Sequence, residues 1–246
     1  MNNNEESNVV RIALTGGPKA GKTSVKKTIK RVFEDEYGYK VIIVGETATE
    51  VIEAGLIPPR RPDTYELEAW RNYFKGNIDF QELIMAIQIS KERYWYEVAK
   101  KLGGNVLLVF DRAVADNYGY LKKMLKDIEI YKIAFQVGGS IDLYRDLLSK
   151  FGLTPAEIMD WYEAVICLET SVKYMDFGTQ LITDTTQRLE DDASEAIEVD
   201  DCVSEGYMNH PNYIRINATE KFEDKENQII EELRKIVEKQ MVRKLK

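Results

Sequence analysis

Eight consecutive residues, Gly16-Gly17-Pro18-Lys19-Ala20-Gly21-Lys22-Thr23, constrain this chain more than anything else in it. They have the form G-x-x-x-x-G-K-T, which average composition alone gives in a chain of 246 residues roughly once in a hundred. Their setting makes coincidence rarer still. A short apolar, β-branched run at residues 9–14 leads in, and a helical stretch from Lys22 to about Glu36 leads out. A strand that turns on glycines into a helix points backbone N–H groups inward and places the positive helix end at the same spot. Such a turn is a site for phosphate. In this pattern Lys22 reaches the β and γ phosphates of a nucleoside triphosphate, and the Thr23 hydroxyl binds Mg²⁺. Gly16, Gly17, Pro18, Lys19, Ala20, Gly21, Lys22, Thr23 and Ser24 are the candidate nucleotide-binding residues.

The rest of the chain repeats the alternation. Apolar runs at 41–44, 106–110, 164–168 and 213–216 are separated by helical stretches at 47–54, 66–74, 80–102, several between 116 and 162, and 222–240. Strands that are apolar throughout belong in a parallel sheet covered on both faces, which sets the fold class as α/β. Thr154-Pro155-Ala156-Glu157 has the form of a capping box with proline at the first helical position. A hydrophobic content of 44% over 246 residues supports an ordinary core without a disulfide or metal staple. Cys167, Cys202 and the lone His210 form no metal-ligand spacing, and a reducing compartment fits. The net charge of -8 argues against a general nucleic-acid partner. No apolar run approaches the roughly 20 residues of a membrane span. The polar start Met1-Asn2-Asn3-Asn4-Glu5-Glu6 is unlike a signal or transit peptide, so a cytoplasmic location is expected. The acidic run Glu190-Asp191-Asp192 reads as a solvated helix start rather than a metal site.

Ligands of open parallel sheets bind at the carboxyl ends of the strands, where Glu46, Asp111 and Arg112 stand. Asp111 follows a five-residue apolar run, as a Walker B acid does, and can hold Mg²⁺ directly or through water. It could instead cap the next helix. Glu46 lies where a carboxylate could take a proton from an acceptor hydroxyl or position a water. Arg112 could pair with a phosphate, a substrate anion or a neighbouring carboxylate.

In order along the chain, these residues resemble the AAA_28 group of P-loop ATPases and kinases. That group includes the nicotinamide riboside kinase domains of NadR type and GTP-binding regulatory relatives. The likeness runs from about Val10 to Val237. It is carried by Gly16-Gly17-Pro18, by Val44-Gly45-Glu46-Thr47-Ala48-Thr49 with Ile52-Glu53-Ala54-Gly55, and by Phe80-Gln81, Gln88 and Glu92. Asp111-Arg112 with Asp116 and Tyr120 follow the family's D-R-G-x-x-D-x-x-x-Y pattern, with Ala113 in place of the usual glycine. Gly152-Leu153-Thr154, Trp161-Tyr162-Glu163-Ala164-Val165, Arg188-Leu189-Glu190, His210-Pro211-Asn212-Tyr213 and Asn217-Ala218-Thr219 complete it. The resemblance implies a P-loop NTPase three-layer sandwich with a five-stranded sheet of kinase-like order 2-3-1-4-5. It implies that Arg188, which otherwise reads as a surface salt bridge, reaches the triphosphate from a lid. It places Asn217, Ala218 and Thr219 near the base. The expected layout is a disordered tail at 1–8 and a single domain at 9–241, with helical insertions at about 56–102 and 114–162 and a lid at about 173–208.

Two functions compete. In a Mg²⁺-dependent phosphotransferase or ATPase, Lys22, Glu46, Asp111 and Arg188 form the catalytic set, and Thr23 and Asp111 hold the metal. Glu46, Gln88, Arg112 and Asp116 then face a small-molecule acceptor. Trp70, Tyr94 and Trp95 could stack on such an acceptor, or belong to the core. In a nucleotide-gated binding protein with little turnover, the triphosphate reshapes a partner surface, and Arg60-Arg61 or the Arg243-Lys244-Lys246 tail could contact anionic lipid or protein, or be solvated basic ends. No Asn-Lys-x-Asp string is present, so ATP is expected, with GTP as the second choice.

Overall fold

The apolar runs pair into one sheet. In the computed structural model, which describes residues 7–174 and 193–244, the five strands are β1 (Asn8–Gly16), β2 (Lys40–Val44), β3 (Asn105–Asp111), β4 (Ala164–Leu168) and β5 (Tyr213–Ile216). All neighbours are parallel and the order is β2-β3-β1-β4-β5, as the resemblance implies. Parallel neighbours need crossovers, and helices supply them on both faces.

Side chains alternate across β1, so it feeds two cores. Val10, Ile12 and Leu14 pack with Val25, Ile29, Val32 and Phe33 of α1 (Lys22–Asp35) and with Ile229, Leu233 and Val237 of α9 (Phe222–Lys244). The α1 set has spacing i, i+4, i+7 and i+8, the buried stripe of an amphipathic helix. Ala13 faces the other side, with Leu108 and Phe110 of β3. That core is closed by α3 (Leu67–Lys101), α4 (Asp116–Asp127), α6 (Ser140–Ser149) and α7 (Pro155–Met159). The short α2 (Thr47–Glu53) packs on α3 through Val51, Ile52, Phe80 and Ile84. A four-residue helix α5 (Lys132–Phe135) follows α4, and α8 (Ala193–Glu205) precedes β5.

The capping box forms as expected: Thr154 accepts from the Glu157 N–H, and the Thr154 N–H donates to Glu157 at 2.8 Å. One expectation fails. The helical stretches at 66–74 and 80–102 are a single 35-residue helix, α3. The residues between them, Lys75-Gly76-Asn77-Ile78-Asp79, weaken the pattern locally because glycine and asparagine are poor helix formers. Tertiary contacts overcome that. Pro59 of the proline loop packs on Gly76, where a side chain would collide with its ring. Asn77 donates to the Pro59 carbonyl at 3.1 Å. Trp70 is core, stacked on Tyr131, whereas Tyr94 is exposed. Residues 1–6 of the expected tail, Glu190-Asp191-Asp192 and Lys246 lie outside the described residues. No described helix is long and apolar enough to cross a membrane.

Candidate functional site

β1 ends at Gly16, whose φ of 132° favours glycine, and the loop turns through Gly21 (φ 90°) into α1. Lys19, at φ 55°, is held in the left-handed region without being glycine. The loop's conformation is explained by where its carbonyls go. Gly16 O and Gly17 O accept from Lys22 Nζ at 2.9 and 3.1 Å. Pro18 O accepts from Thr170 Oγ1 at 2.6 Å, and Lys19 O from the Ser171 N–H at 3.4 Å. Ala20 O accepts from Lys225 Nζ at 2.8 Å, and Gly21 O from the Val25 N–H at 3.2 Å. With its carbonyls engaged by protein donors, the loop has N–H groups left to offer. Those opening α1 lack intrahelical acceptors, as at any helix start. This is a preorganised donor array of the kind that binds phosphate at little reorganisation cost.

The loop forms one wall of a cleft of about 730 Å³. Pro18 through Ser24, Glu46, Gln88, Asp111, Arg112 and Asp116 all line it, so most of the residues singled out along the chain meet here. Asn217, Ala218 and Thr219 are not among the lining residues. Ala218 N–H donates to Glu169 and Thr219 to the Lys221 carbonyl, while Phe222 and Ser171 line the cleft beside them. Arg188 lies outside the described residues.

Arg112 organises the carboxylates. Its Nε donates to Glu46 Oε1 at 2.5 Å and its Nη1 to Asp116 Oδ2 at 3.1 Å. Its backbone sits at φ 66°, a conformation that persists only where neighbours impose it. Its N–H bonds to Leu14 O at 2.9 Å and its carbonyl accepts from Gln88 at 3.2 Å. Burial pushes the Glu46 carboxyl up, but Arg112 and Lys22 outweigh it and hold the group below its ordinary value, so it is ionised. Its side chain is 25% exposed and so keeps a face to the cleft. Burial lowers the Lys22 ammonium, helped by Arg112 and opposed by Asp111, Glu46 and Asp116.

Asp116 and Gln88 line the cleft yet spend their polar atoms on protein partners. Asp116 accepts from Thr15 Oγ1 at 2.8 Å and Tyr207 OH at 2.5 Å, besides Arg112. Gln88 bridges Thr47, the Arg112 carbonyl and Glu92. Glu92, fully buried, also accepts from the Val114 N–H at 3.1 Å and Tyr162 OH at 2.6 Å. Burial raises the Glu92 carboxyl to about 7, against Tyr162, Gln88 and Arg11. A raised acid contributes stability that is fully present below its unfolded pKa and lost as pH rises through the folded one. Urea denaturation between pH 5 and 8 should therefore show stability falling, by about 2–3 kcal/mol from this group. In Glu92→Gln that part of the slope should vanish; an unchanged slope would assign it to other groups.

Asp111 places Oδ2 at 2.5 Å from Lys26 Nζ, while its Oδ1 is buried without a hydrogen-bond partner. Thr23 lines the same cleft. An orphaned carboxylate oxygen and a hydroxyl in one cleft fit Mg²⁺, which takes one or two protein oxygens and fills its other positions with phosphate and water. Among the described residues no group of three or more His, Cys, Asp or Glu could build a protein-only metal cage.

The positions that sequence reasoning missed are Lys26, Thr170, Lys225, Asp200 and Tyr207. All reach the loop or its carboxylates from elsewhere in the chain.

A glycine loop between β1 and α1, under a parallel sheet of order 2-3-1-4-5, defines a P-loop, kinase-like nucleotide-binding fold. The AAA_28 family, described as an AAA domain, matches residues 11–225, and the chain belongs to that family. Among solved structures it is similar to deoxyadenosine kinase from M. mycoides with bound dATP. Identity there is 16% and the TM-score 0.51, over 92% of this chain and 100% of that one. A second structure of that kinase, with the product dCMP and a flexible dCDP, gives 13% identity and a TM-score of 0.50 over the same shares. Comparison with curated proteins gave no match.

Proposed function

We propose that this protein transfers the γ-phosphoryl group of ATP, with Mg²⁺, to a hydroxyl of a small molecule. The observation that carries the reading is the reach of the cleft. It continues past the phosphate loop and Glu46 into a pocket walled by Ile52 of α2, Phe80 and Ile84 of α3, and Tyr120 of α4. A triphosphate held on the loop leaves that space for a second molecule, which a phosphotransferase would use for its acceptor. The related fold of a deoxyadenosine kinase supports an acceptor of nucleoside size.

In this reading the loop N–H groups and Lys22 bind the triphosphate, and Arg188 adds a cation. Thr23 and Asp111 would hold Mg²⁺, which when bound neutralises phosphate charge. The acceptor oxygen forms a bond to the γ-phosphorus, the bond to the bridging β–γ oxygen breaks, and ADP leaves. The acceptor proton passes to Glu46, which Arg112 keeps ionised and aimed. Gln88 and Asp116 fix Arg112 from behind.

The test is release of ADP from MgATP, or of GDP from MgGTP, over a panel of nucleosides and other hydroxyl compounds. At least one acceptor should raise the rate well above the acceptor-free rate; no stimulation across the panel would sink the reading. Asp111→Asn should raise the Mg²⁺ concentration for half-maximal rate by about tenfold, since one ligand oxygen loses its charge. An unchanged Mg²⁺ titration would remove Asp111 from the metal site.

A further inference from the structure

The helix α8 and the turn after it touch the site at two places that the proposed reaction does not by itself explain. At the first, Asp200 Oδ1 accepts from the Gly17 N–H at 2.6 Å. Its other oxygen pairs with Arg215 of β5, which also donates to Cys167 Sγ at 2.9 Å. Asp200 is 1% exposed. A Cβ on Gly17 would lie 2.6 Å from the Asp200 Cβ and 2.8 Å from its Oδ1, so only glycine lets α8 come this close. The carbonyl of that same peptide unit, Gly16 O, accepts from Lys22 Nζ at 2.9 Å. At the second place, Tyr207 stands in the turn that follows α8, two residues beyond its end. Fully buried, it donates to Asp116, the carboxylate that also holds Thr15 and Arg112.

We infer that Asp200 and Tyr207 are positioning residues with separable tasks. Asp200 sets the Gly17 peptide, and so the loop that receives the triphosphate. Tyr207 sets Asp116, and through Arg112 the carboxylate of Glu46. The inference rests on the phosphotransfer reading for the Tyr207 arm only, because the Asp200 arm concerns nucleotide binding.

Asp200→Asn separates this from a bystander role by the sign of its effect. An amide cannot accept from both Gly17 N–H and Arg215, so one donor is left facing an NH₂ group. The change also removes a negative charge beside an anion site. A bystander would therefore bind MgATP equally well or more tightly after substitution. A positioning residue binds it more weakly, by about tenfold on the cost of one unsatisfied buried donor. Tyr207→Phe leaves Asp116 with Thr15 and Arg112. It is expected to keep the MgATP Kd within about twofold and to lower kcat about tenfold.

The measurements are fluorescence titration with MgATP, steady-state kinetics on the acceptor, and circular dichroism to verify folding. Tighter or unchanged MgATP binding in Asp200→Asn overturns the assignment, and so does an equal fall of affinity and kcat in both variants. Should no acceptor be turned over, the phosphotransfer reading fails while the Asp200 arm is still decided by binding. In the unaltered protein the Gly17 amide proton should resonate well downfield of ordinary glycine amides. An ordinary shift there overturns the bond without any variant.

Discussion

Lys22→Ala is expected to weaken MgATP binding on the order of a hundredfold, the largest effect of any single change on nucleotide affinity. Two losses combine. The ammonium that meets the phosphates disappears, and a charge-assisted contact of this kind contributes about 1.5–3 kcal/mol. The carbonyls of Gly16 and Gly17 also lose the donor that holds them at 2.9 and 3.1 Å. The free protein tolerates the change better than the complex, because burial already disfavours the Lys22 charge while no anion is bound. Isothermal titration with MgATP, at matched thermal stability, reads the effect. Affinity within a few-fold of the unaltered protein would mean that the triphosphate does not sit on this loop.

Glu46→Gln is expected to lower kcat by about 10²–10⁴ while leaving the MgATP Kd nearly unchanged. The amide has the shape of the carboxylate but cannot take the acceptor proton. Arg112 keeps Asp116, at 3.1 Å, so the site's frame survives. The pH profile carries the sign. Arg112 and Lys22 hold the Glu46 carboxyl below its ordinary value against burial, so the base is ionised across the neutral range. The rate should fall only as pH drops beneath the usual carboxylate range, and Glu46→Gln should lack that acid limb. A parallel loss of nucleotide affinity would instead place Glu46 among the triphosphate contacts.

How much could be read in the sequence depended on whether a feature is local. The phosphate loop is contiguous, its flanking strand and helix are the strongest patterns in the chain, and all of it is legible in residues 9–36. Glu46, Asp111 and Arg112 are legible because a charge directly after a fully apolar strand marks a ligand end. The sheet order came from family resemblance, since apolar strands do not state their neighbours. The continuous α3 was hidden because Gly76 looks like a break, and the proline ring that fills its place comes from 17 residues upstream.

The supports of the loop were hidden for another reason. Asp200 lies in the acidic string Glu198-Val199-Asp200-Asp201 and reads as solvated. Its signal is positional: Ala196, Val199 and Val203 fall on one helical stripe, and Asp200 stands inside it. Lys225 does the same between Phe222 and Ile229 of α9. A charge on an otherwise apolar stripe must find a buried partner, and here the partners are loop atoms.

Phosphorus NMR on one sample tests the central claim most directly. The protein is incubated with MgATP and the acceptor that stimulates ADP release. With the unaltered protein, a phosphomonoester resonance should appear in step with ADP, in equal amount and without inorganic phosphate. With Glu46→Gln neither should appear over the same time. ADP formed together with inorganic phosphate and no phosphomonoester would contradict the account.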